Sequence, residues 1–353
     1  MKKNICIAGS GKIGRDAGMY LLKRGHSVTW VSGSEQRLVD LQTWVTASVH
    51  RFLKRAGGSV REMSASFALF SELDGEMFDV VFECTQESPH VKKDVFGCLK
   101  GRYSDSALLL SSSSSIAPSA IAENCIGLHV FFPLELTGIA ELVVPPDIAH
   151  KRRSAAVAFC EESKIEPIVQ DETHAFGVNR LLLPLQNEMF CALAQGISFA
   201  DANAASVSPL CAIGMGELTE KVGPAVMAAA VENYCAKMSS DQAAMFTTLR
   251  AGLETFGATR EKWAAGRVLE NNERQQLTTR MHCLFINTCL KFAEQGELSL
   301  ADINRALGSV FGASLTVENA LEASSKNMIV ATLRESSLFG GAAYFGPAAI
   351  LCA

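Results

Sequence analysis

The feature that most constrains the fold is a glycine-rich turn near the start of the chain. Residues Gly9–Gly14 read GSGKIG, with the short apolar run Ile5–Ala8 before them and a helical pattern after them. In a strand–GxGxxG–helix unit the first glycine makes a tight turn, the second lets backbone approach a pyrophosphate, and the third lets helix and strand pack closely. Because Ser27–Ser32 reads as a second strand, the segment predicts a dinucleotide-binding βαβ unit with three cofactor-binding glycines, Gly9, Gly11 and Gly14.

The end of the second strand bears on which nicotinamide cofactor the chain takes. An acidic residue at this point holds the ribose 2′-hydroxyl of NAD, whereas a nearby arginine accommodates the 2′-phosphate of NADP. Here Ser32 occupies the position, and the nearest arginine is Arg37, in the next predicted helix. Serine can hydrogen-bond a hydroxyl but does not repel a phosphate. We therefore predict that Ser32 contacts the cofactor and that the cofactor is NAD, with NADP as the alternative.

Polar residues interrupt a series of apolar runs between residues 107 and 144. Ala107–Leu110 ends in a run of serines, Ile126–Phe132 contains His129, and Glu141 opens a third run. Buried strands bounded by turn signals have this length and composition. If all three were parallel strands of one sheet, their polar residues would gather at its carboxyl edge, where ligands bind. A histidine with a carboxylate to hold its ring is a general base in outline, although a core histidine and an ordinary serine loop would give the same pattern.

Composition and charge limit the class of protein. A chain of 353 residues can hold two domains with sizeable cores, and 48% hydrophobic with 20% charged residues is ordinary for a soluble globular protein. The formal net charge of -5 provides no basic surface for nucleic acid. The 11 cysteines form no CxxC pair, which argues against a zinc site and a disulfide framework and fits a reducing cytosol. With no signal peptide or membrane-length apolar stretch, we expect a cytoplasmic protein without metal, nucleic-acid or membrane partners.

Strand-like runs give way to helix-like patterns beyond Asp171. We predict an N-terminal α/β domain, a doubly wound Rossmann-type sheet, over residues 1–173 and an all-α domain over residues 174–353. The helical part repeats itself at an offset of roughly 100 residues, which suggests two related units at about 174–240 and 275–353. The matching positions are Arg180, Asn187, Gln195-Gly196 and Asp201 in the first unit and Arg280, Asn287, Gln295-Gly296 and Asp302 in the second.

Several of these motifs occur together in one known family. In order along the chain they are Gly9–Gly14, Glu83/Glu87/Lys92, the serine run Ser111–Ser115, His129–Pro133 and Val178–Leu182. Over nearly its whole length, and most clearly from Lys3 to Val222, the chain resembles the L-3-hydroxyacyl-CoA dehydrogenase family. The resemblance implies a Rossmann domain followed by helices, a nicotinamide cofactor, and positions at that cofactor for Glu87 and Lys92.

The resemblance also gives catalytic roles to four residues. His129 resembles the general base that takes the hydroxyl proton of the substrate during oxidation, and Glu141 resembles the carboxylate that orients its imidazole. Ser114 matches the serine that hydrogen-bonds the substrate oxygen, and Asn179 resembles the asparagine beside that serine. A base poised near neutral pH, a carboxylate that sets its tautomer and two neutral donors suit this chemistry, for which the nicotinamide would supply the hydride transfer.

Three segments depart from the family pattern. Phe132 stands where the family has an asparagine, His174-Ala175 replaces a Pro-Gly pair, and the turn at 213–217 reads IGMGE instead of MGPFE. Together with Ser32, these differences suggest a divergent member whose substrate or cofactor preference has moved.

The implied reaction interconverts a 3-hydroxyacyl thioester, carried on coenzyme A or a carrier protein, and its 3-oxoacyl form. A dehydrogenase of a free 3-hydroxy acid, such as a sugar acid, is a second hypothesis, and a non-catalytic nucleotide-binding relative is a third. Only a coenzyme A ester needs phosphate partners, so Arg51, Lys54 and Arg55 along the cleft would favour the first. Thr279 stands opposite Asn179 in the repeat, so the second helical unit lacks the catalytic asparagine, and we expect a monomer or homodimer.

Overall fold

The computed structural model describes residues 2–55, 63–73, 75, 77–340 and 346–352. The chain divides into two compact units, Met1–Phe176 and Gly177–Ala353, where the sequence predicted a division after residue 173. The first unit is an α/β unit and the second is helical. The predicted fold class, a Rossmann-type sheet followed by helices, is therefore confirmed.

The first unit is built on a sheet of eight strands in the order β3-β2-β1-β4-β5-β6-β7-β8. Neighbouring strands from β3 to β6 are parallel, which is the strand order of a doubly wound dinucleotide-binding sheet. The order switches direction between β1 and β4, and ligands bind outside the carboxyl ends of strands at such a point. The strands are β1 (Asn4–Ala8), β2 (Ser27–Ser32), β3 (Ala65–Leu69), β4 (Phe78–Glu83), β5 (Tyr103–Ser111), β6 (Cys125–Val130), β7 (Ile139–Val144) and β8 (Glu166–Asp171).

Helices cover both faces of this sheet. Along β1, Ile5 and Ile7 enter one apolar core while Cys6 and Ala8 enter another, because successive side chains of a strand point to opposite faces. The helices of the first unit are α1 (Lys12–Lys23), α2 (Glu35–Arg55), α3 (Pro89–Cys98), α4 (Leu134–Thr137) and α5 (His150–Glu162). The first core includes residues of α1, α2 and α5, and the second includes residues of α3.

Strand β7 runs antiparallel to β6, so the expectation of three parallel strands with their polar residues at one edge was wrong. A parallel crossover needs a dozen or more residues, whereas the segment 131–138 alone joins the two strands. Within it, α4 ends at Thr137 and is capped by Gly138, whose φ of 66° is left-handed. The register pairs His129 directly with Glu141, so cross-strand pairing, and not a shared carboxyl edge, brings these side chains together.

The second unit consists of helices, and the two segments that repeat in sequence have the same local geometry. α7 and α13 both end next to a Gln-Gly pair, in which Gly196 and Gly296 have φ values of 82° and 71°. The next helices, α8 and α14, are both capped by a serine that accepts from the N–H of an aspartate three residues on. The helices are α6 (Gly177–Leu181), α7 (Leu183–Ala194), α8 (Phe199–Ala205), α9 (Met215–Val222), α10 (Pro224–Cys235), α11 (Ser240–Ala244), α12 (Thr247–Ala264), α13 (Asn271–Glu294), α14 (Leu300–Phe311), α15 (Val317–Ser324), α16 (Lys326–Gly340) and α17 (Ala349–Cys352).

The C-terminal segment packs along α13, through the repeated asparagine. Asn287 is completely buried; its amide donates to the carbonyl of Gly346 and accepts from the N–H of Ala348. The carboxylate of Glu294 accepts from the first N–H groups of α17. Asn187, at the equivalent position in the first helical segment, likewise accepts from a backbone N–H, that of Leu249 in α12. Asn287 thus holds the backbone at Gly346 and Ala348 against α13, whereas Asn187 holds the backbone of α12 against α7.

Two further searches covered the described residues. No helix there is long and apolar enough to cross a bilayer. No group of three His, Cys, Asp or Glu side chains in this part of the chain is placed to hold a metal ion. The cysteines are free thiols, most of them buried, and the buried ones serve as small apolar side chains of the core.

Candidate active site

The glycine-rich turn has the geometry that a dinucleotide site requires. Gly9 has a φ of 136°, and a Cβ there would lie 2.4 Å from the carbonyl oxygen of Cys84. A Cβ on Gly14 would lie 2.3 Å from the carbonyl oxygen of Gly9. At Gly11, in contrast, a Cβ would meet nothing within 4 Å. The fold therefore requires the first and third glycines, while the second keeps clear the space that a phosphate would fill.

The start of α1 adds the electrostatics of an anion site to this open space. α1 has no acidic residue in its first turn, and Gly11 provides no side-chain cap, so free N–H groups and the positive end of the helix dipole remain. Lys12 begins the helix, and its ammonium lies 4.0 Å from the centre of the Phe132 ring, which is 46% exposed. These residues fit the pyrophosphate of a dinucleotide.

Ser32 lies at the carboxyl end of β2, where the sequence placed a ribose contact. It is buried, and its hydroxyl is engaged with the turn that follows, since it accepts from the N–H of Ser34 at 3.2 Å. Arg37 is exposed on the first turns of α2. A direct contact of the Ser32 hydroxyl with a ribose would thus compete with this local hydrogen bond.

Glu83 and Lys92, from the first motif after the glycine-rich turn, form a completely buried ion pair. The ammonium of Lys92 lies 2.9 and 3.1 Å from the two carboxylate oxygens of Glu83. Ser111, at the end of β5, donates a further hydrogen bond to Glu83 at 2.6 Å. Buried charges persist in a core only when they are paired and hydrogen-bonded. Glu83 therefore joins β4 to α3 through Lys92 and to β5 through Ser111. Any effect of Lys92 on the cofactor would pass through Glu83 and Glu87, the two glutamates that it contacts.

Glu87 organises the serine run. One carboxylate oxygen of Glu87 accepts from the Ser113 hydroxyl at 2.7 Å and from the backbone N–H groups of Ser114 and Ser115 at 2.9 and 3.0 Å. Burial raises the pKa of Glu87, but Lys92 and these hydrogen bonds outweigh it, so the pKa is lowered overall. The carboxylate thus stays charged and fixes the backbone of Ser114, whose own hydroxyl is 3.4 Å from the same oxygen.

His129 and Glu141, which the sequence singled out as a base and its orienting carboxylate, form a short hydrogen bond. Nδ1 of His129 lies 2.6 Å from Oε2 of Glu141. The Glu141 side chain is completely buried, and that of His129 is 11% exposed. Because a carboxylate accepts, a proton on Nδ1 suits this hydrogen bond, and a ring in that tautomer has a lone pair on Nε2. The arrangement can therefore serve a general base whose tautomer is set by a buried carboxylate.

The other oxygen of Glu141 is held by a residue that the sequence reasoning missed. Gln170 in β8 is 3% exposed and donates from Nε2 to Oε1 of Glu141 at 2.7 Å. β8 is parallel to β7, with Ile168 opposite Glu141. The sequence did contain a signal for this residue. Gln170 lies two residues after the apolar Ile168, so the two side chains are on the same face of the strand, and a glutamine is unusual on a buried face.

Two phenylalanine rings flank the imidazole. The centres of the Phe131 and Phe176 rings lie 4.6 and 5.8 Å from that of His129, both in edge-to-face arrangements. Both phenylalanines are buried. They limit the rotation of the His129 ring and reduce the access of water to its hydrogen bond with Glu141.

The fourth predicted catalytic residue, Asn179, belongs to the second unit. It lies in α6, is partly buried, and its amide donates to the hydroxyl of Tyr234 in α10 at 3.2 Å. Tyr234 is itself 4% exposed. The Asn179 amide is therefore held in a fixed orientation within its unit, and its catalytic role stays a prediction.

The basic cluster near the end of α2 lies on the exposed face of that helix. Arg51 donates to the hydroxyl of Ser48 at 3.0 Å, and Lys54 and Arg55 are exposed. Arg51 also lines a shallow groove on the helix surface, together with Gln42, Thr43, Thr46, Ala47 and His50. The cluster is a surface feature of α2, and no contact among the described residues joins it to the pair formed by His129 and Glu141.

Comparison with known proteins gives the same assignment for the first unit. The family described as 3-hydroxyacyl-CoA dehydrogenase, NAD binding domain, matches residues 4–173. The fatty acid oxidation complex subunit alpha of Pseudomonas putida (strain GB-1) is 28% identical over 127 residues, which are 34% of this chain and 18% of that protein. The mitochondrial hydroxyacyl-coenzyme A dehydrogenase of Mus musculus is 26% identical over 199 residues, 52% of this chain and 63% of that protein. The chain thus spans less than two thirds of the length of these relatives.

A likeness of fold extends over the whole chain. The crystal structure of 3-hydroxybutyryl-CoA dehydrogenase from Escherichia coli K12 has a TM-score of 0.73 at 17% sequence identity, covering 100% of this chain and 98% of that one. At such low identity this likeness concerns the fold alone. Taken with the match of residues 4–173 and the ordered motifs of the sequence, it leads to one conclusion: the first unit is an NAD-binding domain of the 3-hydroxyacyl-CoA dehydrogenase type, and the chain has the fold of such a dehydrogenase.

Proposed function

We propose that this chain is an NAD-dependent dehydrogenase that interconverts a 3-hydroxyacyl thioester and its 3-oxoacyl form. One observation carries the proposal: Nδ1 of His129 is hydrogen-bonded to the buried Glu141 at 2.6 Å, within an NAD-binding type of unit. The interconversion of an alcohol and a ketone by hydride transfer requires a single proton to be moved at the reacting oxygen. A histidine with one nitrogen fixed and the other bearing a lone pair suits that task.

In the direction of oxidation, Nε2 of His129 accepts the proton of the substrate's 3-hydroxyl. The ring then carries a positive charge, which the buried carboxylate of Glu141 stabilises across 2.6 Å. NAD, when bound, supplies the acceptor for the hydride that leaves the carbon bearing this hydroxyl. His129 returns its proton to water afterwards. In the direction of reduction, the same nitrogen donates a proton to the 3-oxo oxygen.

Ser114 and Asn179 complete the proposal as neutral hydrogen-bond donors to the reacting oxygen. The backbone of Ser114 is fixed by the carboxylate of Glu87, so its hydroxyl would be positioned before substrate arrives. Preorganised donors of this kind stabilise charge that develops on an oxygen during reaction. The role of Asn179 rests on its position in the family motif, and the hydrogen bond from its amide to Tyr234 supports it by fixing the orientation of the amide.

The cofactor would lie against the glycine-rich turn. Gly9 and Gly14 shape the turn, Gly11 leaves the open space, and Lys12 adds a positive charge at the helix start. The thioester class is supported by the names of similar proteins, which include a hydroxyacyl-coenzyme A dehydrogenase and a 3-hydroxybutyryl-CoA dehydrogenase. We further propose that the enzyme is a monomer or a homodimer, and sedimentation as a tetramer would contradict that part.

The test is absorbance at the reduced-nicotinamide band, with acetoacetyl-CoA supplied and NADH or NADPH in separate cuvettes. We expect oxidation of NADH, and His129→Ala should lower the turnover by about 10²- to 10⁴-fold because the general base is lost. Quenching of intrinsic fluorescence by NADH should be the same in the variant and in the wild type, since His129 is not part of the glycine-rich turn. Unchanged turnover in H129A would remove the proposed base.

Two further substrates separate the alternatives. Acetoacetyl-N-acetylcysteamine, assayed with NADH, presents the thioester without coenzyme A, and free 3-hydroxybutyrate, assayed with NAD as the hydride acceptor, presents the hydroxy acid without a thioester. Turnover of the first at a rate near that of acetoacetyl-CoA would favour a carrier protein as the natural donor. Turnover of the free acid alone would replace the thioester hypothesis. Binding of NADH without turnover of any of the three would favour the non-catalytic relative.

A further inference from the structure

We propose that Gln170 is a positioning residue of the active site, which holds Glu141 in the orientation and charge state that His129 requires. The inference rests on the proposed function, because it assigns Gln170 a role in proton transfer by His129. Its physical basis is a chain of two hydrogen bonds in the interior of the first unit, from Gln170 to Glu141 at 2.7 Å and from Glu141 to His129 at 2.6 Å.

These two hydrogen bonds are buried, which makes the one from Gln170 important for the Glu141 carboxylate. Glu141 has no exposed surface, and Gln170 is 3% exposed. A carboxylate in such a place loses its hydration, and protein donors must replace it. Oε2 accepts from His129 and Oε1 accepts from Gln170, so a donor at each oxygen helps to fix the plane of the carboxylate.

The neutrality of the glutamine is the second part of the argument. An arginine or lysine at this position would also donate a hydrogen bond, but its positive charge would compete with a protonated imidazole for the carboxylate. An amide donates without charge, so the negative charge of Glu141 remains available to His129. By the strand register, Glu141 of β7 and His129 of β6 share this face of the sheet with further ionisable residues, among them Glu166 at the start of β8 and Glu83 of β4, which is paired with Lys92. The Arg153–Asp171 ion pair lies at the exposed end of β8.

Three variants test this assignment. Gln170→Met keeps the length of the side chain and removes the donor. Gln170→Glu keeps the shape, but donates only while its carboxyl group is protonated. The matched control is Gln186→Met, since Gln186 is buried to a similar degree in the second unit and contacts the Met227 sulfur instead of a carboxylate.

The main readout is the pH dependence of kcat/KM. For Q170M we expect turnover to fall about tenfold to a hundredfold, the value of a hydrogen bond to a charged group. The acid limb of the Q170M pH profile should move to higher pH by about one unit. The Glu141 carboxylate, having lost a hydrogen-bond donor, attracts a proton more strongly. Q170E should lose activity as the pH rises, because a second negative charge then forms beside Glu141. Q186M should keep the profile of the wild type.

A second readout does not depend on turnover. The ¹⁵N chemical shifts of the His129 ring report which nitrogen carries the proton. The wild type should show the proton on Nδ1, and Q170M should show a mixture of tautomers. If Q170M folds and keeps both the wild-type pH profile and the wild-type tautomer, Gln170 is a packing residue and the inference is overturned. If Q170M does not fold, an unchanged pH profile in Q170E overturns it equally.

These measurements also separate the two proposals. A wild-type enzyme that turns over no thioester contradicts the proposed function, while the tautomer comparison between wild type, Q170M and Q186M still decides the role of Gln170. A wild-type enzyme that is active, with both Q170 variants unchanged in profile and tautomer, contradicts the further inference alone.

Discussion

Gly9 and Gly11 are two residues apart in one turn, yet a side chain would have opposite consequences at the two positions. At Gly9 a Cβ meets the carbonyl oxygen of Cys84 at 2.4 Å, and the φ of 136° disfavours any L-residue. At Gly11 a Cβ meets nothing within 4 Å. The fold therefore constrains the first position, and the bound cofactor would constrain the second.

The prediction at the residue scale is that Gly11→Ala folds normally but binds NADH poorly. The added methyl group would occupy the space that a pyrophosphate needs, so we expect the Kd for NADH to rise about tenfold or more, equivalent to ~1.4 kcal/mol. Fluorescence titration measures the affinity, and thermal denaturation measures the fold. Gly9→Ala is the contrasting variant and should lower the Tm. A G11A protein with wild-type affinity would place the pyrophosphate elsewhere.

Residue types alone pointed to His129 and Glu141 as a candidate pair, but not to Gln170, which contacts the second oxygen of Glu141. His129 and Glu141 are separated by 12 residues in sequence, and each is a polar residue in an apolar run. Gln170 is a further 29 residues from Glu141 and lies in a strand of mixed composition. Only the pairing of β7 with β8 brings it to the carboxylate, and sequence patterns do not specify which strands pair.

Among the elements, the strands that contain an apolar run were predictable from the sequence. β1, β2, β5 and β6 were expected near their observed positions because buried parallel strands are apolar nearly throughout. β3 was not predicted: it is a short edge strand, five residues long and mostly half-buried, so it lacks that run. The direction of β7 was predicted wrongly because apolar composition carries no information on strand polarity.

The packing of α1 on the sheet gives a prediction at this scale. A Cβ on Gly18 would lie 2.4 Å from the ring of Trp30, which is completely buried in β2 and donates its indole N–H to the Gly14 carbonyl. Gly18→Ala should therefore lower the free energy of unfolding by about 1–3 kcal/mol through overpacking. Denaturant unfolding measures this change. Gly97→Ala in α3, where a Cβ meets nothing within 4 Å, is the control and should be neutral or slightly stabilising.

For the first unit as a whole, His26 connects distant parts of the chain and makes stability depend on pH. Its Nδ1 accepts from the N–H of Lys3, and its Nε2 lies 3.3 Å from the hydroxyl of Ser163, just beyond α5. Burial lowers the pKa of His26 below its usual 6.5. The unfolded chain therefore binds a proton at a higher pH than the folded one does. The contribution of His26 is present above pH 6.5 and is lost as the pH falls through the lower folded-state value.

The corresponding measurement is denaturant unfolding at a series of pH values below 6.5, the ordinary value for this group. We expect the free energy of unfolding of the wild type to fall with pH more steeply than that of His26→Gln, which has no proton to bind at this position. His50→Gln removes an exposed histidine of α2 and should keep the wild-type slope. Equal slopes in H26Q and the wild type would show that His26 does not contribute to the pH dependence.

The antiparallel register of β6 and β7 has a consequence for which insertions and deletions a lineage of such proteins can accept. Side chains alternate between the two faces of the sheet along each strand. His129 faces Glu141 because the register places both residues on the same face and directly opposite each other. Losing one residue inside β7 would put Ala140 or Leu142 opposite the imidazole and leave a carboxylate on the wrong side of the sheet. A residue gained or lost in segment 131–138 would instead be absorbed by the connection. This short stretch therefore has two parts. The connection 131–138 can change in length during evolution, whereas β7 must keep its length because the pairing of His129 with Glu141 depends on its register.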